Sequence, residues 1–533
     1  MDTDVLVVGA GPTGLMLANQ LARRGVRARI IDRHPGPSLQ TRALGVQART
    51  LEIYSHLGIA ERAIELGKRT TGANLWADGR RTARIPLGDI GQDVSPYPFV
   101  LILGQDDNER LLGERLQQQM TIEWNTELVV LSQDTDKATA KLRLPDGSME
   151  HVELAWVAGC DGARSAVREL SGIPFLGAPY EHVFFVADTM MTGPMVPDEL
   201  NVYFWRDGFH LFFPMRGSNH WRIVGIVPPE LRARDDITLN DVIPSIRDEA
   251  GAGLVVQACS WFSTYRIHHR RAERFRDGRC FLLGDAAHIH SPVGAQGMNT
   301  GLQDAYNLGW KLALVVAGRA PSALLDSYAA ERVPVAERLL NTTDRMFSIV
   351  VSDTRVAGLF RTRVLAKALA LAMKIDRIRK LAFRTISQTG IAYPDSPLSE
   401  TLAGVPGQAP RAGDRFPWVR LSLRPNEAPK DLYAVLDDRC FTLIVFGQAA
   451  PSVPVPGLGD LLRPHVVPDD PANDRELTRA GIPRTSFYLL RPDGHVGLAG
   501  IHLNLADVGR YVFDRLSLIG KNSSSVPSYR AGS

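Results

Sequence analysis

The sequence predicts a mixed chain, α/β in its larger part with α+β features, and three observations carry that expectation. A glycine-rich turn between an apolar strand and a helix stands at residues 9–14. A second glycine-rich stretch, Gly284 to Gly301, again follows an apolar run and leads into a helix. Between them, from about residue 180 to 277, aromatic and β-branched residues cluster in short runs, the texture of an antiparallel sheet.

Taken in order, Val5-Leu6-Val7-Val8 reads as a buried strand, Gly9 to Gly14 as a turn, Leu15 to Arg24 as a helix capped by Gly25, and Ala28 to Asp32 as a second strand. Thr50 to Leu57 and Asn108 to Met120 read as helices. Strands at 127–132, 138–144 and 150–157 form a meander that leads into Asp161-Gly162. The sheet-like runs are 183–186, 202–205, 211–213 and 221–224, after which Cys280-Phe281-Leu282-Leu283 resumes the first domain. The sheet is therefore an insertion. Helices are expected at 299–318, 323–340 and on to about 388, with Ala357 to Lys374 as one long amphipathic helix. Pro394, Pro397, Pro406 and Pro410 mark a linker. Beyond it lies a small α/β unit, with a strand at 440–446 and a hairpin around Pro492-Asp493-Gly494. The expected divisions are 1–178 with some sheet-domain strands near 75–104, 179–277, 278–390, a linker at 391–410, the small unit at 411–520 and a disordered tail at 521–533.

Composition excludes several classes. A chain of 533 residues needs two or three domains. The 61 basic and 58 acidic residues leave a net charge of +3, which gives no footprint for nucleic acid or an acidic membrane. Cys160, Cys259, Cys280 and Cys440 are widely spaced, without CxxC or zinc-type spacing, so neither disulfides nor a metal is expected and a reducing cytoplasm is. No signal peptide is read at the N-terminus, and no uninterrupted apolar run of about 18 residues suggests a membrane span.

The chemistry lies in the glycine motifs. Gly9 permits the tight turn, Gly11 lets the backbone approach a pyrophosphate, and Gly14 packs helix on strand. Free N–H groups and the dipole at the helix N-terminus suit phosphate. Asp32 ends the second strand, placed for a ribose diol, and Arg33 beside it suits a 2′-phosphate. Asp161 and Gly284-Asp285 lie far downstream, where Asp285 suits a ribityl hydroxyl. The backbone amides near Gly297, Met298 and Asn299, at a helix start, suit a flavin pyrimidine carbonyl. One FAD held between both stretches accounts for the set.

With Gly9-x-Gly11-x-x-Gly14, Asp32, Asp161-Gly162, Gly284-Asp285-Ala286-Ala287-His288 and the run Gly297 to Leu312 in place, the chain resembles the group A flavoprotein monooxygenases, aromatic hydroxylases of the para-hydroxybenzoate hydroxylase fold. The resemblance covers residues 1 to about 390. It implies a Rossmann-like FAD domain, an inserted antiparallel-sheet substrate domain and, as in larger members such as phenol and polyketide hydroxylases, a C-terminal thioredoxin-like domain. It implies bound FAD, transient NADPH or NADH, O2, and transfer of one oxygen to a phenolic or polycyclic aromatic through a flavin C4a-hydroperoxide. A Baeyer–Villiger or epoxidising member of the same fold is the alternative. The resemblance also places Arg42 and Arg49 at the flavin, Gln105 near the ribityl chain, and Pro292 beside the flavin ring. No second GxGxxG is present for NAD(P)H, in keeping with this family. A monomer or homodimer is expected. For a proton relay to a phenolic substrate the candidates are Tyr203, His210, Tyr265, His268 and His269, with Tyr265 and His268 preferred.

Overall fold

The computed structural model describes residues 3–38, 43–205, 208–251, 253–290, 296–351, 366–424, 427–449, 451, 453–455 and 457–518. Its first sheet has six strands in the order Arg276–Asp277, Cys280–Leu282, Trp156–Gly159, Val5–Val8, Ala28–Asp32 and Ile122–Trp124, parallel except at the Arg276–Asp277 edge. Val5–Val8 is apolar and buried throughout, as a central parallel strand must be when both its faces are covered. Helix Pro12–Ala22 follows the glycine turn and packs along helix Gly297–Val316, with Gly309 against Leu17 and Gln20.

The meander is Glu127–Gln133, Ala138–Arg143 and Met149–Leu154. The expected strand 150–157 is in fact two. The Ala155 and Trp156 amides both donate to the Asp4 carbonyl, and Trp156–Gly159 joins the parallel sheet instead.

The second sheet has eight strands in the order His288–Ile289, Val255–Ala272, Phe175–Thr192, His220–Ile226, Gly208–Pro214, Leu200–Trp205, Gly72–Ala77 and Arg80–Pro86. Helix Leu239–Ala250 covers one face, where Val242, Ile243 and Ile246 pack with Phe185, Tyr203 and Phe212. Side chains alternate along a strand, so Phe209, Leu211 and Phe213 turn to the other face.

The C-terminal sheet runs Glu400–Thr401, Val496–Gly500, Ser486–Leu490, Phe441–Phe446, Leu462–Val467. Buried ion pairs bind this unit to the rest. Arg23 meets Asp438 at 3.0 Å, Arg415 meets Glu52, and Arg491 meets Glu331 at 2.5 Å. The turn Pro492-Asp493-Gly494 sits against helix Gly297–Val316, where Trp310 Nε1 donates to Asp493 Oδ2 at 3.2 Å and the Tyr306 hydroxyl to the Pro492 carbonyl at 3.3 Å.

Helix starts shift by a few residues from expectation. Gln105–Gln117 begins directly after Gly104, and Ala48–Leu57 includes Arg49. Of the expected helix Ala357 to Lys374, Ala366–Ala372 is helical and 352–365 lie outside the described residues, as does the tail 521–533. Among the described residues no helix is long and apolar enough to cross a membrane.

Candidate active site

A cavity of about 1020 Å³ runs from the Gly9–Gly11 turn to the open face of the eight-stranded sheet. At the first end, Gly9 has φ +102°, and a Cβ there would strike the Cys160 carbonyl. A Cβ on Gly14 would strike the Gly9 carbonyl, whereas one on Gly11 meets nothing within 4 Å and Gly11 lines the cavity. The two positions predict opposite defects. Gly11→Ala is expected to melt like the parent and bind FAD at least about tenfold more weakly. Gly14→Ala is expected to lose about 1–3 kcal/mol of stability. Titration of apoprotein with FAD and urea unfolding separate them; a stable Gly14→Ala or a tight-binding Gly11→Ala contradicts the assignment.

The Asp32 carboxylate accepts from the Ala10 amide at 2.8 Å and from the His34 amide and imidazole at 2.9 and 2.7 Å. A carboxylate offers about four acceptor sites, so about one is left for a ligand hydroxyl. Arg33 lies on the same rim. Gln105 lines the cavity and donates to Glu109 at 2.7 Å; burial pushes the Glu109 carboxyl up. Asp161 also lines it, its carboxyl raised by burial against a hydrogen bond from Ser165, and its buried Oδ1 has no partner among the described residues. An acceptor of this kind fits a polyol donor. The open Gly11 cradle and the Asp161 oxygen thus fit a dinucleotide.

At the second glycine stretch Gly284 has φ +57°, and a Cβ on either Gly284 or Gly301 would strike the Thr13 hydroxyl, so the turn and the helix approach that closely only as glycines. Beneath them is a buried cluster. Asp304 accepts from the Gly284 amide at 3.0 Å, from His288 Nε2 at 2.7 Å and from Arg332 Nε at 2.6 Å. Burial opposes the Asp304 charge, but Arg332 and His288 more than offset it and hold the carboxyl below its ordinary value. Asp285, Gly297 and Met298 line the cavity. Asn299 does not: its side chain accepts from the Gln47 amide at 2.9 Å and the Thr50 hydroxyl at 2.7 Å, and donates to the Gly45 carbonyl at 3.1 Å. Arg42 and Pro292 lie outside the described residues.

Arg49 requires a correction. It was expected at the flavin, but its guanidinium pairs with Glu52 at 3.0 Å and donates to the Asp493 carbonyl at 2.6 Å. It is buried away from the cavity lining and ties helix Ala48–Leu57 to the C-terminal hairpin.

At the sheet end Phe209, Leu211, Phe213 and Val224 form an apolar wall, and Tyr265, Arg266 and His268 line the cavity beside it. Residues three apart on a regular strand face opposite ways. Here the register between the paired strands shifts between Pro179 and Val183, opposite this segment, and both side chains reach the cavity. Burial and Arg270 lower the His268 pKa, and its Nδ1 has no partner among the described residues. His269 packs against Tyr180 and is not part of the lining.

Tyr203 and His210 are corrected as well. They are paired across the sheet, both buried, with Tyr203 stacked on Trp76 and His210 on Trp205. That is the helix-covered side, away from the cavity. Among the described residues His210 has no hydrogen-bond partner for either ring nitrogen, and burial lowers its pKa from 6.5 to about 3. Its folded-state pKa is depressed, so its stability contribution is present above about pH 6.5 and lost as pH falls toward 3. His210→Phe is expected to flatten the acid loss of stability by up to about 1.4 kcal/mol per pH unit in that window. Parallel unfolding curves at pH 7 and 5 check it; an unchanged slope would place a partner on the ring.

A family model described as FAD binding domain matches residues 2–343. The chain belongs to that family. It is 35% identical over 508 residues to 6-methylpretetramide 4-monooxygenase of Streptomyces rimosus, covering 93% of this chain and 90% of the relative. It is 36% identical over 433 residues to pentachlorophenol 4-monooxygenase of Sphingobium chlorophenolicum, covering 79% and 77%. Among solved structures, aklavinone-11 hydroxylase in a ternary complex with FAD and aklavinone aligns with TM-score 0.80 and 25% identity over 97% of this chain and 99% of that one. Anhydrotetracycline hydroxylase from Streptomyces rimosus aligns with TM-score 0.75 and 28% identity over 97% and 99%. The protein is an FAD-dependent aromatic monooxygenase that uses NAD(P)H and O2.

The motifs showed the glycine cradle. Asp304 lies within the matched run Gly297 to Leu312 without an assigned role, and Arg332 lies outside that run. The helix also carries Asn299, Thr300, Gln303, Asn307 and Lys311, so the Asp304 carboxylate does not stand out by composition, and its partner Arg332 lies 28 residues further on.

Proposed function

We propose that the protein hydroxylates a phenolic ring of a polycyclic aromatic of the polyketide type, with FAD and substrate in one continuous cavity. The single observation that carries this reading is that cavity, which joins the Gly9–Gly11 cradle to the apolar sheet face at Phe209, Leu211 and Phe213. Polycyclic substrates named for relatives, pretetramide and aklavinone, support the ring system.

In this reading the N-terminus of helix Pro12–Ala22 with Gly9, Gly11 and Gly14 holds the pyrophosphate, and Asp32 the ribose, with Arg33 at the rim. Gln105, Asp161 and Asp285, on the turn set by Gly284, hold the ribityl chain. The Gly297 and Met298 amides meet the pyrimidine edge, with Asn299 fixing the turn behind them. When bound, FAD supplies the electron store and the oxygen-activating ring. The apolar sheet wall excludes water, and Tyr265 with His268 accepts and passes on the phenolic proton. The family resemblance adds Arg42 and Pro292 beside the flavin. NADPH or NADH docks transiently.

The C-terminal sheet supports a thioredoxin-like reading: Phe441–Phe446 is parallel to Leu462–Val467 and antiparallel to Ser486–Leu490. Without CxxC its role is packing or dimerisation. The proposed divisions are those expected from the sequence: 1–178, 179–277, 278–390, 391–410, 411–520 and 521–533. Four unpaired cysteines support a cytoplasmic protein, monomeric or homodimeric.

A screen of monocyclic and polycyclic phenols by NAD(P)H oxidation, corrected for peroxide, tests the substrate class. Polycyclic phenols should stimulate turnover and yield a ring hydroxyl; turnover of simple phenols alone, or ester insertion in the product, would sink the proposal. Tyr265→Phe and His268→Ala should release about tenfold more peroxide per product. Unchanged coupling in both discards the relay.

A further inference from the structure

Residues 385–389 span the end of helix Asp376–Ile386 and lie beyond the stretch matched by the family model, yet they bond to the helix turn assigned above to the flavin pyrimidine. Gln388 is a non-glycine residue with φ +59°, a left-handed conformation that is costly unless its surroundings enforce it. Its side chain is buried. The amide oxygen accepts from Gln303 Nε2 at 2.6 Å, and Nε2 donates to the Thr300 hydroxyl at 2.7 Å and the Gln296 carbonyl at 3.4 Å. Three of the roughly four bonds an amide can make are therefore in use, all on one helix start.

The contact is reciprocal. Gln296, which lines the cavity, donates its own side-chain amide to the Thr385 carbonyl at 3.0 Å, and the Thr300 hydroxyl donates to the Gln296 carbonyl at 2.9 Å. The Arg49 amide donates to the Ser387 carbonyl at 3.2 Å. The neighbouring Asn299 is held by Gly45, Gln47 and Thr50. The turn that begins helix Gly297–Val316 is thus held by two chain segments, one of them carrying a strained residue far along the chain.

We propose that Gln388 is a positioning residue for the reaction: through Gln296 and Thr300 it fixes the direction of the Gly297 and Met298 amides, and so tunes how the flavin pyrimidine edge is held. The proposal rests on the FAD reading given above. A rigid donor pair aimed at the pyrimidine stabilises negative charge on the reduced ring. A loosened pair binds FAD less tightly and leaves the reduced state less favoured.

Gln388→Leu keeps the volume and removes all three bonds; Thr300→Val cuts the contact from the other side. Each variant is expected to raise the FAD dissociation constant about tenfold, lower the reduction potential of the bound flavin and shift its visible spectrum. The double variant should be less damaging than the sum of the two singles, because both remove the Gln388–Thr300 bond. Gln388→Glu, which still accepts from Gln303 but can no longer donate to Thr300 and Gln296, should recover only part of the affinity. If Gln388→Leu does not fold, Thr300→Val decides alone. Parent-like spectrum, potential and affinity, with only a lower melting temperature, overturn the positioning role, and so do strictly additive effects. A parent protein that binds no FAD overturns the cofactor reading instead, so the two failures are distinct.

Discussion

Asp304→Ala is expected to cost about 3–5 kcal/mol of folding stability and to empty the FAD site. Asp304 and Arg332 have no exposed side-chain surface. Removing the carboxylate leaves the Arg332 guanidinium with Tyr393 and the Thr300 carbonyl but without its counter-charge. Breaking one half of a buried pair strands the other, which is why the cost exceeds that of an exposed bridge. The same deletion frees the Gly284 amide, whose bond to Asp304 fixes the left-handed turn before Asp285. Stability and cofactor binding should therefore fall together. Urea unfolding with flavin absorbance after gel filtration measures both; a loss below about 1 kcal/mol with FAD retained would show the cluster to be incidental.

Glu331→Leu is expected to be comparably damaging, by about 3–5 kcal/mol, but for a different part of the molecule. Glu331 accepts from Lys311 at 2.8 Å, Arg491 at 2.5 Å, Asn307 at 2.6 Å and Ser396 at 2.6 Å, all buried. It joins helix Gly297–Val316, helix Asp326–Val351 and the C-terminal hairpin. Burial alone would push its carboxyl up; Arg491 and Lys311 reverse that and hold it below the ordinary range. Arg491 keeps Asp493 when Glu331 is lost, whereas Lys311 keeps the Asn307 amide oxygen and the Trp310 ring, neither of them an anion. Adding Lys311→Met to Glu331→Leu should therefore recover more than half of the loss, since a wholly apolar pair strands no charge. Limited proteolysis should reach the C-terminal unit sooner in the single variant than in the double. Equal stability of the two would refute the stranded-charge explanation.

The parts legible in the sequence are those where a backbone requirement restricts residue choice. Gly9 and Gly284 are needed by positive φ, Gly14 and Gly301 by close approach, and each stands in a spaced motif. Sheet facing was not legible. Phe209-His210-Leu211-Phe212-Phe213 is apolar at four of five positions, so period-two alternation has no polarity until helix Leu239–Ala250 covers one side. That is how Tyr203 and His210 became candidates although they face the helix. Arg49 was assigned from a motif position, but its partners Glu52 and Asp493 are three and 444 residues away. Long-range pairing of this kind, like the reach of Gln388 to Thr300, leaves no local pattern to read.

Labelled oxygen tests the central claim, one cavity for FAD and aromatic ring, most directly. The FAD-loaded protein is given NAD(P)H, ¹⁸O₂ and a polycyclic phenol that stimulates its oxidation. The account predicts one ¹⁸O atom in a new ring hydroxyl per NAD(P)H consumed in coupled turnover. Label found only in peroxide, or a product oxygen drawn from water, would contradict it.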